Sequence, residues 1–138
     1  MPPPSKNPGS VSLTRGIRVA VAPSFDADQS DPALSRFIFS YRIRITNESQ
    51  RRAKLLSRHW IIVDADGHRH EVQGEGVVGQ QPDLAPGQAF TYASFCPLQT
   101  AWGTMEGTYT MLAEDGESFE VQIGRFFLTL PHDEPAGS

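Results

Sequence analysis

The sequence predicts an all-β protein, folded as an antiparallel β-sandwich of seven to eight strands. Short segments alternate apolar and polar residues, and turn-forming residues separate them at intervals of roughly ten residues. The chain also contains 12 glycines and 11 prolines, which leave little room for long helices. A closed barrel is the alternative architecture that the same pattern allows.

The first half of the chain contains the clearest strand pattern. Residues 17–21 form a first strand that ends near Pro23, and an acidic loop follows over residues 26–32. In the next strand, apolar residues occupy every second position and arginines stand beside them, so one face enters the core and a basic face meets water. The inward set is Phe37, Phe39, Tyr41, Ile43 and Ile45, and the basic set is Arg36, Arg42 and Arg44.

Residues 53–63 fit either a helical stripe or a strand. The β-branched run 61–63 and the turn 64–67 favour a hairpin, with residues 68–73 as the return strand. We expect Trp60 in the core, the stem of Arg58 covering its surroundings, and His59 pointing the other way.

The remaining strands lie in the second half. Two prolines and a glycine exclude a helix over residues 80–87. A strand is expected over residues 90–96 and a loop over 100–107, and the segments 108–113, 118–123 and 125–130 give two or three further strands.

We predict one domain over residues 11–131, between disordered tails at residues 1–10 and 132–138. The single cysteine, Cys96, rules out an intramolecular disulfide and is expected to be a small buried hydrophobe. The N-terminus lacks the apolar region of a secretory signal, and no apolar run is long enough to span a bilayer. These features predict a cytoplasmic protein, either a monomer or a weak homodimer that pairs through exposed edge strands.

The net charge of −4 gives the whole protein no nucleic-acid footprint. Residues 1–60 hold ten Lys or Arg against four Asp or Glu, and residues 61–138 hold two against twelve. Because sequence halves interleave in a sandwich, we expect faces of mixed sign. A stripe for an acidic partner or RNA is the alternative, although the aromatic residues of strand 37–45 point inward and give no stacking platform. The residues of that stripe would be Arg36, Arg42, Arg44, Arg51, Arg52, Lys54 and Arg58.

Residues 74–79 match G-x-G-x-x-G through Gly74, Gly76 and Gly79, a pattern associated with dinucleotide binding. That chemistry requires a helix after the last glycine, whose N-terminus faces the pyrophosphate. Gln80-Gln81-Pro82 follows instead, so a structural loop or sheet bulge is favoured over a nucleotide site. An anion-binding nest is the minority alternative, and Glu75 within the loop argues against it.

The residues from Arg58 onward closely resemble the ApaG family. The shared pattern is Arg58-His59-Trp60-Ile61-Ile62, Asp64-x-x-Gly67, Val72-x-Gly74-x-Gly76-Val77-Val78-Gly79-x-Gln81-Pro82, Leu84-x-Pro86-Gly87, Phe90-x-Tyr92-x-Ser94, Gly103-x-Met105-x-Gly107-x-Tyr109-x-Met111 and Phe126-x-Leu128. The resemblance covers roughly residues 13–131. Two departures, Phe95-Cys96 after Ser94 and Ala101-Trp102 after Thr100, lie beside the Met105 loop.

This resemblance implies an immunoglobulin-like or fibronectin type III-like sandwich in a single-domain bacterial protein. Bacterial members are linked to cobalt and magnesium tolerance, and related domains in larger eukaryotic proteins look like protein-interaction modules. No enzymatic activity or cofactor comes with the family.

The predicted function is therefore a non-enzymatic protein-interaction module in divalent-cation homeostasis, with a protein partner. The contact surface is expected on residues 74–87 and 100–107, where glycines let a partner approach and Trp102 is an aromatic anchor. The candidate contact residues are Gly74, Gly76, Gly79, Gln81, Arg58, Trp102 and Met105.

The alternative is a small-ligand binder that takes pyrophosphate, a nucleotide or a divalent cation at the glycine loop. His68 and His70 lie on one face of the return strand, about 7 Å apart. Asp64 and Asp66 come just before them, and imidazole with carboxylate ligands suits a divalent transition metal. An exposed polar hairpin is the commoner explanation of this spacing.

Overall fold

The computed structural model describes residues 9–131, which form nine β-strands and two short 3-10 turns, Ala27–Gln29 and Pro32–Leu34. The predicted tails lie outside the described residues, apart from Gly9 and Ser10. The strands are β1 (Ser10–Thr14), β2 (Ile17–Phe25), β3 (Phe37–Asn47), β4 (Ala53–Asp64), β5 (Arg69–Glu75), β6 (Asp83–Leu84), β7 (Ala89–Leu98), β8 (Gly103–Ala113) and β9 (Ser118–Leu128).

Two antiparallel sheets pack face to face, which confirms the predicted antiparallel β-sandwich. The first sheet has the order β1-β2-β3-β7, and the second has the order β5-β4-β8-β9. The short β6 also pairs with β4, next to the residues that pair with β5. The lateral edges of the sandwich are therefore β1 and β9 on one side and β5 and β7 on the other.

The core lies between the sheets and follows the predicted alternation. On β3, Phe39, Tyr41, Ile43 and Ile45 are buried while Arg42 and Arg44 are exposed. Trp60 is also in the core, as predicted, with 3% exposure and edge-to-face contacts to three aromatic rings. Those rings belong to Tyr41, Tyr109 and Phe126.

Strand β1 was not predicted from the sequence because its polar residues face inward and its apolar residues face outward. Its apolar residues, Val11 and Leu13, are 64% and 54% exposed, while Ser10 and Ser12 turn towards β9. Because the residues on the inner side of β1 are polar, the strand lacks the apolar alternation by which strands are recognised in a sequence. The first strand that was predicted, residues 17–21, therefore corresponds to β2.

Strand β4 resolves the ambiguity between helix and strand. A bulge between Leu55 and Ser57 shifts the pairing with β8. Leu55 faces inward before the bulge and Trp60 faces inward after it, so the inward positions change from odd to even numbers. This change of phase produced the apparent helical stripe, because a bulge inserts one extra residue into a two-residue period.

Strand β9 joins the two segments predicted over 118–123 and 125–130. Its pairing with β8 shifts between Met105 and Gly107, where β9 carries one extra residue, and then continues to Leu128. The irregularity beside Gly124 made one strand resemble two.

The second sheet is of mixed sign, as expected, because it carries Lys54, Arg58, Arg69 and Arg125 beside its acidic residues, whereas the first sheet has cations alone. The strands of the first sheet contain Arg18, Arg42 and Arg44 and no Asp or Glu. All acidic strand residues belong to the second sheet: Asp64, Glu71, Glu75, Asp83, Glu106 and Glu120. This difference arises because β1, β2 and β3, three of the four strands of the first sheet, come from the basic beginning of the chain.

Within residues 9–131, no helix has the length and apolar character that crossing a membrane requires.

Candidate functional site: a cleft between two strand edges

One lateral side of the sandwich is closed by hydrogen bonds between β1 and β9. Ser10 Oγ donates to the Gly124 carbonyl at 2.7 Å, and Ser12 Oγ donates to the Gln122 carbonyl at 2.6 Å. The Gln122 N–H donates in turn to Thr14 Oγ1 at 3.1 Å. Side-chain hydroxyls thus replace the backbone ladder and hold the two sheets together along this side.

The opposite side is open, and a cleft of about 520 Å³ lies there between β5 and β7. Each of these strands ends its sheet, so each has one backbone edge without a strand partner in the described part of the chain. The floor of the cleft is apolar and is formed by Tyr41, Trp60, Ile62, Val72, Leu98 and Met105. A concave site with an apolar floor and a few polar groups is typical of binding sites.

The rim of the cleft on the β4–β5 side is polar. It carries Arg58, His68, Arg69 and His70, with Asp64 at one end. Arg69 pairs with Glu71 at 2.9 Å, whereas His70 and Arg58 form no ion pair among residues 9–131. The β7 side of the rim comprises Ser94, Phe95, Cys96, Pro97 and Gln99.

Arg58 is held in place by the glycine loop. Its Nη1 donates to the carbonyls of Glu75 and Gly76 at 3.1 and 3.0 Å. The guanidinium lies against the backbone of Gly74, where a Cβ would be 2.8 Å from Nη1. The backbone of Gly74 has an ordinary strand conformation, which any residue could adopt. The absence of a side chain at this position therefore serves to leave space for the guanidinium of Arg58.

The rest of the glycine loop is a tight turn. Val77 and Gln80 exchange backbone hydrogen bonds of 2.8 and 2.9 Å. The two residues between them, Val78 and Gly79, have φ of 43° and 80°, which is the type I′ arrangement. Gly76 also has a positive φ, 65°, and a Cβ there would lie 2.4 Å from the Gln80 carbonyl oxygen.

Most of the hydrogen-bond donors that the glycine loop could offer to a phosphate are already used within the protein. The N–H groups of Gly76, Val77 and Gln80 donate to backbone carbonyls, and Gln81 Nε2 donates to the Leu56 carbonyl at 2.8 Å. The loop continues into β6 and not into a helix. Its glycines therefore shape the backbone, which is the favoured prediction from the sequence.

Burial keeps the ionisable groups beneath the cleft protonated. Desolvation raises the pKa of Tyr41, and the nearby charge of Arg58 opposes the rise. It also raises the pKa of Tyr92 and of Tyr109, whose hydroxyls are 2.5 Å apart. Burial raises the pKa of the Cys96 thiol to about 12, so this thiol is a buried hydrophobe and not a thiolate nucleophile.

The predicted metal ligands are only partly brought together. Asp64, Asp66 and His68 each offer a ligand atom within 4.8 Å of the others, and His70 is not in this group. Asp64 Oδ1 already accepts the N–H groups of Asp66 and His68 at 2.9 and 3.0 Å. These bonds are those of a capped hairpin turn, and they account for the arrangement without an ion.

The two predicted contact loops lie at opposite ends of β4. Gly76 is bonded to Leu56 near the start of the strand, and Thr100 Oγ1 accepts the N–H of Ala65 just after its end. About nine strand residues, or roughly 30 Å, separate them. Trp102 is 45% exposed outside the cleft, while Met105 is 1% exposed in its floor.

Of the predicted candidates, Arg58, Met105, His68 and His70 line the cleft. The β7 side, including Ser94 and Gln99, was not predicted from the sequence. Alternation indicates which face of a strand is buried, but it does not indicate which strand ends a sheet, so it gave no signal for these residues.

Comparison with known proteins decides the family. A family model described as the ApaG domain matches residues 27–113. The protein ApaG of Methylobacterium sp. (strain 4-46) is 55% identical over 119 residues, which are 86% of this chain and 92% of that protein. The protein ApaG of Anaeromyxobacter dehalogenans (strain 2CP-C) is 51% identical over 122 residues, 88% of this chain and 96% of that protein.

The chain belongs to the ApaG family. A crystal structure of a Bordetella pertussis protein, provisionally described as ApaA, has a TM-score of 0.82 at 46% identity and covers 94% of this chain and 100% of that one. The segment that matches the ApaG domain contains all five strands that line the cleft, β3, β4, β5, β7 and β8. The cleft therefore lies wholly within the ApaG-matched segment.

Proposed function

We propose that this ApaG-family chain is a non-enzymatic protein-interaction module, and that an extended segment of a partner protein lies in the cleft between β5 and β7. The observation that supports this most directly is the pair of strand edges on either side of an apolar floor. An extended peptide binds a free edge through backbone hydrogen bonds, and alternate side chains enter pockets beside it. The module would act in the cytoplasm, in the cobalt and magnesium homeostasis that the family resemblance implies.

The chemistry of the cleft supports binding over catalysis. The thiol of Cys96 is held protonated by burial, as is the hydroxyl of Tyr41. Neither Arg58 nor His70 has an acidic neighbour in ion-pair distance within the described residues. Nη1 of Arg58 is bonded to the glycine loop, and the other N–H groups of its guanidinium, like the ring of His70, would bind a partner's carboxylate or backbone carbonyl.

The test is to fill the cleft. Ser94→Trp places a large side chain on its β7 rim, and Thr108→Trp places the same side chain on the second sheet, outside the cleft. Tagged wild-type protein and both variants are used to capture partners from cytosol, after circular dichroism confirms that all three are folded. We expect Thr108→Trp to retain the partner and Ser94→Trp to lose it. Equal recovery by Ser94→Trp would contradict the proposal.

Small-ligand binding stays a prediction. The grouping of Asp64, Asp66 and His68 gives it a defined location for a cation. An NMR titration with magnesium, cobalt, pyrophosphate and ATP tests this alternative. A bound ligand should shift the amide resonances of the β4–β5 turn or of the glycine loop. Unchanged spectra at millimolar ligand would remove this alternative.

A further inference from the structure

The outer face of the first sheet carries two arginines that the cleft does not use. Arg42 and Arg44 are exposed neighbours on this face of β3. Their partners across the sheet are Ala22 and Ala93 for Arg42, and Ala20 and Thr91 for Arg44. Small side chains on both sides leave the two guanidinium groups standing above a flat surface.

These two cations have no ion-pair partner among residues 9–131, a property that they share with Arg36, Lys54 and Arg58. Six other arginines form ion pairs with carboxylates: Arg15, Arg18, Arg51, Arg52, Arg69 and Arg125. The side chains of Arg42 and Arg44 form no ion pair or hydrogen bond within residues 9–131. The structure thus separates the basic set seen in the sequence: Arg51 and Arg52 are paired, and Arg58 lies in the cleft. Lys54 lies on the second sheet, and Arg36 lies before β3 near Asp26.

The composition of the whole sheet explains the lack of partners. Its four strands contain no Asp or Glu, so no residue of the sheet can neutralise these charges. Exposed apolar side chains occur on both sides of the arginines, with Val11 and Leu13 on β1 and Phe95 on β7, each more than half exposed. Arginines and apolar side chains are enriched at protein interfaces. Unpaired arginines between exposed apolar side chains therefore indicate a surface that binds an oppositely charged partner.

We propose that this outer face, centred on Arg42 and Arg44, is a second docking surface, and that it binds an acidic segment of a protein that also carries apolar side chains. Charge complementarity selects the partner, because Arg42 and Arg44 lie at the centre of this face without a carboxylate on its four strands, and carboxylates can form paired bonds with guanidinium groups. The apolar side chains of the segment would pack on Val11 and Leu13, since Phe95 also borders the cleft.

Nucleic acid fits this face less well than an acidic protein segment. Two free arginines neutralise few phosphates, and the protein as a whole carries a net charge of −4, which repels a polyanion. Phe95 is a single exposed ring, whereas binding of single strands uses several stacking rings.

The experiment selects peptides from a random phage-displayed library on immobilised wild-type protein. We expect the selected peptides to be enriched in Asp, Glu and large apolar residues. Their affinity for Arg42→Glu/Arg44→Glu should fall at least about tenfold, and Arg42→Lys/Arg44→Lys should retain most of it. The matched control, Arg125→Gln, removes an arginine from the second sheet and should bind like the wild type. Raising the salt concentration should weaken binding to the wild type.

Three results would overturn the proposal: peptides without acidic enrichment, equal binding to the Arg42→Glu/Arg44→Glu variant, or tighter binding of a single-stranded RNA 12-mer or of phosphatidylglycerol vesicles than of the selected peptides. Circular dichroism melting verifies that the charge-reversed variant is folded. The Ser94→Trp variant should bind these peptides normally, so a failure of the cleft proposal and a failure of this one give different results.

Discussion

The guanidinium of Arg58 occupies the space in which a side chain on Gly74 would begin, since a Cβ there would lie 2.8 Å from Nη1. The same Nη1 donates to the carbonyls of Glu75 and Gly76 at 3.1 and 3.0 Å. A glycine of the nucleotide-like motif therefore positions a cation at the rim of a cleft.

Gly74→Ala should displace this guanidinium without unfolding the protein, because the atom in the way is the end of a flexible side chain. We expect a loss of about 1 kcal/mol in the free energy of unfolding, from the two weakened hydrogen bonds. Urea unfolding of Gly74→Ala, Arg58→Ala and the double variant measures it. The alanine at position 74 should cost less when Arg58 is absent, and strictly additive costs would contradict the relationship.

Gly76→Ala and Gly79→Ala form a matched pair, since both glycines have positive φ. A Cβ on Gly79 would meet nothing within 4 Å, whereas one on Gly76 would lie 2.4 Å from the Gln80 carbonyl oxygen. Gly79→Ala should cost about 1–2 kcal/mol for its backbone conformation alone. Gly76→Ala should cost clearly more in the same urea experiment. Equal costs would show that the loop opens without penalty.

Val78→Asn should stabilise the protein. Val78 is a β-branched residue with φ of 43° and is 52% exposed, so its strain is offset by little burial. Asparagine tolerates this conformation, and we expect a gain of about 1 kcal/mol, visible as a rise in the thermal midpoint. Val78→Ala, which keeps a Cβ but removes the branch, should gain less. A lower midpoint for Val78→Asn would mean that Val78 contributes contacts that outweigh its strain.

Asn47→Ala should be among the most destabilising single changes. Asn47 is 0% exposed, and its Nδ2 donates to the carbonyls of Arg51 and Leu84 at 2.7 and 2.9 Å. Loss of the amide donor leaves these two carbonyls without this hydrogen bond and should lower the free energy of unfolding by about 2–4 kcal/mol. Asn47→Asp keeps the oxygen that accepts from Ser49 but lacks the donor, so it should not rescue stability. Near-native stability of Asn47→Asp in urea would contradict this assignment.

The contribution of Glu71 to stability should depend on pH. Its hydrogen bond with His59, and then that with Arg69, lowers the pKa of Glu71 from the usual 4.5. Because the folded pKa is the lower one, the stabilisation is present above about 4.5 and is lost as the pH falls through the folded value. Glu71→Gln should therefore lower the thermal midpoint at pH 7 and change it less at pH 3. Glu120→Gln, on the same sheet, is the control, and equal effects of the two variants at pH 7 would contradict this account.

The fold could be predicted where one face of a strand is apolar throughout, as in β3, whose alternation of Phe39, Tyr41 and Ile43 with Arg42 and Arg44 matches the structure. Prediction failed for β1, where serines face β9, and it was ambiguous for β4, where the bulge at Leu55 changes the phase. In both places, contacts between distant strands override the local period.

The candidate site was predicted less completely than the fold. Arg58, His68, His70 and Met105 do line the cleft, but the sequence analysis placed the contact surface on the loops at either end of it. The motif of Gly74, Gly76 and Gly79 indicated three equivalent glycines. The structure gives the first a steric role beside Arg58 and the second and third conformational roles in a turn.

The sequence by itself determined the β-sandwich, the buried face of its central strands and the membership in the ApaG family, because these depend on local alternation and on residues at fixed spacing. Only the tertiary structure decided that β5 and β7 leave a cleft while Ser10 and Ser12 close the other side. It alone separated the unpaired Arg42 and Arg44 from the paired Arg51 and Arg52. Strand order and the pairing of charges depend on contacts between residues far apart in the chain, which no local period records. The role of Gly74 also depends on a distant contact, because the pairing of β4 with β5 places Arg58 beside it.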